Sequence, residues 1–298
     1  VKLNIPGEGW HWDFGENVIR VDPTHLLEMP MDFLRGVISH EGGHVRVTRF
    51  ADIPQDLWSS PGFSFMMNAI EDPRVNYFVA EAYPRFRKQM EFLYEEDRKF
   101  ETESDEKAVA TLGTVPRFKQ AGYEFIDQWY RESKNERVEL SPDLPPEVRE
   151  VVEKTLESAR NSWLRFPTRS EADQGEDIIN AYAKLSYEIN LEEVWPEFKK
   201  LVEMDLQDQQ LQQAIQDGLP QNLKDELGDQ LGEGKPIDLA TISDELKQKI
   251  KEHIDSLPDN KKKELQDKAE HRLKEFESGL NKGLSGKLVQ TPDTKDAE

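Results

Sequence analysis

The stretch Val37-Ile38-Ser39-His40-Glu41-Gly42-Gly43-His44-Val45 constrains this chain more than any other, because it holds a His-Glu-x-x-His pattern. In a helix, residues four apart project from one face, one turn apart. Two imidazoles so placed, His40 and His44, can grip one zinc ion. Glu41 lies between them and can act as base toward metal-activated water, the minimum apparatus for hydrolysing a peptide bond. The alternative is a polar helix face whose histidines only form hydrogen bonds. The chain has only six histidines, so the spacing is uncommon by chance, and a third ligand decides between the two readings.

The metal helix is expected at about 31 to 50, opened by Pro30 or Met31. Phe33, Leu34, Val37, Ile38 and Val45 form its apolar side. Gly42 and Gly43 are unusual there, since each costs about 1 kcal/mol against Ala in a helix interior. Missing side chains allow close approach, by a substrate or by a packed helix.

A second helix is expected downstream, with Ser60 as N-cap, Pro61 at the first helical position, and Phe63, Phe65, Met66, Met67 and Ile70 following. It carries Asn68-Ala69-Ile70-Glu71-Asp72-Pro73-Arg74-Val75-Asn76. Pro73 is expected to kink or stop it. Glu71 is the expected third ligand, with Asp72 orienting a ligand histidine through its second ring nitrogen, or the two roles exchanged. The competing reading pairs Glu71 with Arg74 at the surface. Tyr77, Arg74 and His25 are candidate stabilisers of an oxyanion.

Ahead of the motif, residues 10 to 22 read as a β-hairpin. Trp10, Trp12 and Phe14 alternate with His11 and Asp13, Gly15-Glu16-Asn17 turns, and Val18, Ile19 and Val21 return, ended by Asp22-Pro23. Such an edge can hold an extended peptide as an added strand, or can simply cover the helix.

Beyond the second helix, Val75, Phe78, Val79, Ala82, Phe86, Met90 and Leu93 continue an apolar stripe to about residue 100, with Pro84 as a break point. Further helices are expected at about 105 to 132, 145 to 163, 171 to 189 and 193 to 216. Tyr123, Phe125, Ile126, Trp129 and Tyr130 read as core. From about 203, Gln, Asp, Lys and Glu dominate. Leu219 to Leu227 resembles Leu257 to Leu265. The stripes Leu246, Ile250, Ile254, Leu257 and Leu265, Leu273, Phe276, Leu280, separated by Pro258, predict an αα-hairpin. Gly228 to Pro236 reads as a linker and 283 to 298 as a disordered end.

The expected fold class is α+β, predominantly α. A zincin-like domain spans 1–202 and an acidic helical tail 203–298. A formal net charge of -21 argues against nonspecific binding of nucleic acid or anionic membrane. With no cysteine, any metal must sit on His, Asp, Glu or solvent, and zinc suits that donor set. No apolar run approaches a membrane span and no signal peptide is visible. A cytoplasmic location is the expectation, although the chain begins at Val1 rather than Met and a removed targeting segment would leave the same start.

His40-Glu41-Gly42-Gly43-His44 followed by an Asn-x-x-Glu-Asp-x-Arg-Val element resembles gluzincin-type zinc metallopeptidases. More narrowly it resembles the bacterial and archaeal metallopeptidases often joined to a von Willebrand factor A-like domain. The resemblance covers about residues 10 to 80. It implies His40, His44 and an acid at 71 or 72 as zinc ligands, with Glu41 as base. The Asp-x-Ser-x-Ser motif of a von Willebrand domain is absent from this sequence, which puts in doubt the MoxR-type ATPase partner implied for some relatives.

The leading expectation is therefore a zinc endopeptidase acting on a protein or peptide. The alternative is a non-catalytic interaction or adaptor protein with a structural or vestigial metal site, docking a protein partner through its acidic helical tail. A third form is a latent peptidase whose tail or N-terminal strand fills the cleft.

Overall fold

A computed structural model describes residues 2–4, 10–13, 16–50, 53–136, 139–228 and 236–283. Phe14 and Gly15 of the expected hairpin, most of the expected linker, and the expected disordered end lie outside the described residues. The described chain is predominantly helical with one small sheet, as the α+β, mainly α expectation has it.

The sheet has three strands, β1 (Lys2–Asn4), β2 (His11–Asp13) and β3 (Val18–Arg20), in the order β1-β3-β2. The expected hairpin is β2 and β3, antiparallel, with Trp12 opposite Ile19. Trp12 and Ile19 face the interior, while Asp13 and Arg20 form an ion pair at 2.9 Å. β1 runs parallel to β3, so β2 is left as an edge strand.

Thirteen α-helices follow among the described residues. The short α1 (Pro23–Glu28) leads into α2 (Met31–Val47), which carries His40 and His44, and α3 (Gln55–Trp58) leads into α4 (Phe63–Ala82). Then come α5 (Arg87–Leu112), α6 (Arg117–Ser133), α7 (Pro146–Trp163), α8 (Arg169–Ala172) and α9 (Glu176–Ile189). The last are α10 (Trp195–Gly218), α11 (Gln221–Leu227), α12 (Asp244–Ser256) and α13 (Asp259–Gly283).

Three expectations are corrected. α4 starts at Phe63 with Gly62, not Ser60, at its cap, and it runs through Pro73 without stopping. An interior proline costs roughly 3 kcal/mol in a helix. The burial of Phe63, Phe65, Met66, Met67, Ala69 and Ile70 offsets that cost. The helix expected at 105 to 132 is two helices, because Gly113 takes the left-handed φ of 78° and Pro116 follows it. The helix expected at 171 to 189 is likewise α8 and α9.

α9 and α10 are one continuous rod joined by a π-helical turn over Asn190–Val194. Pro196, which has no N–H to give, sits just after that turn.

The boundary expected between residues 202 and 203 falls inside α10, with no break there. The tail hairpin is present as α12 and α13, but its stripes are not free. Ile250 and Leu265 join a satellite core with Ile215 and Leu223, while Leu273, Phe276 and Leu280 join the main core around Phe63 and Phe198.

The tail also caps the helices of the first part. Neither Gly62 nor Pro116 supplies a side-chain cap to its own helix. Glu277 of α13 accepts from the N–H groups of Gly62 and Phe65, both at 3.0 Å, and from Ser64 Oγ at 2.6 Å. Asp205 of α10 accepts from the N–H groups of Arg117 and Phe118, both at 3.0 Å. A carboxylate at a helix N-terminus satisfies free N–H groups and complements the helix dipole. The two acids thus fix α4 and α6 from a distance in sequence.

No helix among the described residues is long and apolar enough to cross a membrane.

Candidate metal centre

The centre lies where α2 crosses α4. Gly43 permits the crossing, because a Cβ there would stand 2.6 Å from Val75 Cγ1 and 2.7 Å from Val79 Cγ2. Gly42 points the other way, with nothing within 4 Å of its virtual Cβ. The close-packing reading therefore holds for Gly43.

At this crossing His40, His44 and Asp72 bring one ligand atom each within 4.8 Å of one another, and all three are buried. The two Nε2 atoms are 3.0 Å apart, and Asp72 Oδ1 stands 3.3 Å from His44 Nε2 and 3.8 Å from His40 Nε2. Ligands about 2.0–2.1 Å from a tetrahedral ion are spaced roughly 3.3 Å from each other.

The far side of each ring has a hydrogen-bond partner of its own. Thr48 Oγ1 donates to Glu71 Oε1, so at 3.0 Å it can only accept from His44 Nδ1. Asn76 Oδ1, at 2.8 Å, accepts from His40 Nδ1. Each Nε2 is thereby turned to the other and to Asp72 Oδ1, which receives no hydrogen bond. A proton shared by the two rings satisfies one contact of the three, whereas a tetrahedral ion can serve all three atoms. A donor set of two imidazoles and one carboxylate fits zinc.

Burial pushes His44 down to about 4, so its ring is neutral at physiological pH. Burial pushes Asp72 up to about 7, with His40 opposing and the Glu71 charge adding. Glu41 is wholly buried, and among the described residues no side chain hydrogen-bonds to it. Burial raises its pKa well above the usual range, and the nearby Asp72 charge adds to that. The main-chain N–H of Trp12, on β2, opposes the rise. A cation nearby would oppose both upward effects.

Asp72, not Glu71, stands with the two histidines, so the expected assignment is reversed. Glu71 is occupied elsewhere. It accepts from Arg74 Nε at 2.8 Å and Nη2 at 2.7 Å, from Tyr187 Oη at 3.3 Å, and from Thr48. The Glu71–Arg74 pair exists, but at 0% exposure for both side chains rather than at the surface. Glu71 thus does the orienting task expected of Asp72, through the Thr48 hydroxyl.

Arg74 is unavailable to an oxyanion, since Nη1 donates to Arg165 O, Nη2 to Val47 O, and the rest to Glu71. His25 is turned toward Trp10, whose indole N–H it accepts at 3.2 Å, and toward the Phe33 ring. Tyr77 stacks on Phe166 and meets Trp129 edge-on. Thr48 and Tyr187 were not visible as site residues in the sequence. Thr48 lies four residues past His44, the one local signal that could have revealed it.

Compared with family models, curated proteins and solved structures, the chain matches none.

Proposed function

We propose that the chain is a zinc-dependent peptidase of zincin-like architecture, with His40, His44 and Asp72 as ligands and Glu41 as general base. One observation carries this reading. Three ligand atoms, from His40, His44 and Asp72, converge beside the buried Glu41, whose carboxyl no side chain among the described residues holds. A bound zinc ion would supply Lewis acidity, acidifying water and polarising a substrate carbonyl. Glu41 takes the proton from the attacking water and passes it to the leaving amine. Thr48 and Asn76 hold the rings with both Nε2 atoms turned to Asp72. Three protein ligands among the described residues are the number used by catalytic zinc sites, which keep one position open.

The substrate is an extended peptide. β2 is a sheet edge beside α2, and its Trp12 main chain stands near Glu41, so a peptide pairing with β2 would pass over the base. Because His40, Glu41 and His44 are each at most 1% exposed, catalysis requires the cover over them to open.

That same burial favours a second reading, a structural metal site in a non-catalytic protein. Its proposed docking stripes on the tail are, however, packed within the chain.

The test is a peptide-library digest by wild type and Glu41→Gln, both loaded with zinc. Cleavage by wild type and none by the variant, at equal zinc content, supports the peptidase. Equal cleavage by both removes Glu41 from the mechanism. No cleavage by either, with zinc firmly held, leaves the structural reading standing.

A further inference from the structure

Behind His40, on the side of its Nδ1, α4, α5 and α6 line an open-mouthed cavity of about 230 Å³. Its walls are apolar and aromatic, from Tyr77, Met90 and Trp129. An apolar cavity of about 150 Å³ accommodates benzene. The space here suits a six-membered ring with a short polar attachment, and is smaller than the usual cofactor or drug site of roughly 300 Å³ upward.

The polar groups at this cavity are of both signs. Arg87 and Glu91, one turn apart on α5, border it together, and among the described residues neither has an ion-pair partner. Glu132, which also borders it, is held by Arg160. The indole N–H of Trp129 is buried without an acceptor. A ligand with one negative and one positive group beside an apolar body matches this lining, whereas a simple anion would meet Glu91 and a simple cation would meet Arg87.

Asn76 joins the cavity to the metal centre. Its Oδ1 accepts from His40 Nδ1 at 2.8 Å, and its amide also borders the cavity. Among the described residues no acceptor for its Nδ2 is present. An amide can turn over, exchanging oxygen and nitrogen. The turned amide would present N–H to His40 Nδ1 and force the ring hydrogen onto Nε2, the atom that must be bare to bind metal. A ligand carboxylate accepting from Nδ2 locks the amide in the orientation the metal needs.

We propose that this cavity binds a free α-amino acid with a large apolar side chain, and that its occupancy and metal binding strengthen each other through Asn76 and His40. The carboxylate meets Arg87 and Asn76, the ammonium meets Glu91, and the side chain fills the aromatic walls. The coupling rests on the metal reading above; the binding site does not. Coupling between two ligands is reciprocal, so each must raise the other's affinity by the same factor.

The experiment is calorimetric titration of L-phenylalanine into the metal-free and the zinc-loaded full chain, with 3-phenylpropionate and phenethylamine as probes lacking one charge each. Phenylalanine should bind more tightly than either probe, and roughly fivefold or more tightly with zinc than without. Ala80→Trp, which fills the cavity, should abolish phenylalanine binding while zinc affinity is kept. Arg87→Gln, at an exposed position that folding tolerates, should weaken it. Asn76→Asp has no N–H to offer a carboxylate, so its phenylalanine affinity should be the same in the metal-free and the zinc-loaded protein. No phenylalanine binding, or binding unchanged in both Ala80→Trp and Arg87→Gln, overturns the site. Equal affinity with and without bound zinc overturns the coupling. If zinc itself does not bind, the metal reading fails, and the metal-free titration still decides the cavity.

Discussion

Glu71 and Arg74 sit one turn apart on α4, both with fully buried side chains, joined by contacts of 2.7 and 2.8 Å. This pair decides which acid faces His40 and His44. Burial works against the charge on Arg74, and Glu71 more than compensates, holding the guanidinium charged. With Glu71 committed to Arg74, Thr48 and Tyr187, the next residue, Asp72, is left to the histidines.

Removing one partner of a buried pair strands the other. Arg74→Ala should therefore destabilise the chain by about 3–5 kcal/mol. The shift in urea denaturation midpoint measures it. A loss below about 1 kcal/mol, typical of exposed pairs, would contradict the burial described.

The reversal of Glu71 and Asp72 also shows what a sequence leaves illegible. Adjacent helical residues point about 100° apart, and which one meets α2 depends on how the helices cross. The crossing is set by Gly43 against Val75 and Val79, a contact between segments over thirty residues apart. The His40, Glu41 and His44 spacing was legible because it is local. The β2–β3 hairpin and the α12–α13 hairpin were legible for the same reason. What the tail stripes pack against was not, nor was Glu277 as the cap of α4. The split at Gly113 was signalled by Gly113 and Pro116, and the apolar stripe had obscured it.

The two adjacent glycines should respond oppositely. Gly42→Ala meets open space in a helix and should stabilise by about 1 kcal/mol or less. Gly43→Ala places its methyl against Val75 and Val79 and should destabilise by roughly 1–3 kcal/mol, with weaker zinc binding as α2 and α4 part. Thermal melts of both variants test this. Equal melting temperatures would contradict the crossing geometry.

Stability should depend on pH through Asp72. Its folded pKa of about 7 lies above the roughly 3.9 of an unfolded aspartate. Between about pH 4 and 7 Asp72 thus holds more proton in the folded, metal-free chain than in the unfolded one. This group's contribution is fully present below about pH 4 and is lost as pH rises through about 7. A metal ion competes with that proton, so zinc should raise the melting temperature more at pH 8 than at pH 5.5. His44, pushed down to about 4, does not compete in that range. Melting curves with and without zinc at the two pH values decide it. A larger zinc effect at pH 5.5 would contradict the assignment of Asp72.

The most direct test of the metal centre is zinc content per chain after equilibrium dialysis, for wild type, Asp72→Ala and Glu71→Gln. The account predicts one ion bound by wild type, loss of binding in Asp72→Ala, and retention with weaker affinity in Glu71→Gln. No zinc on wild type, or full retention by Asp72→Ala with loss in Glu71→Gln, would contradict it.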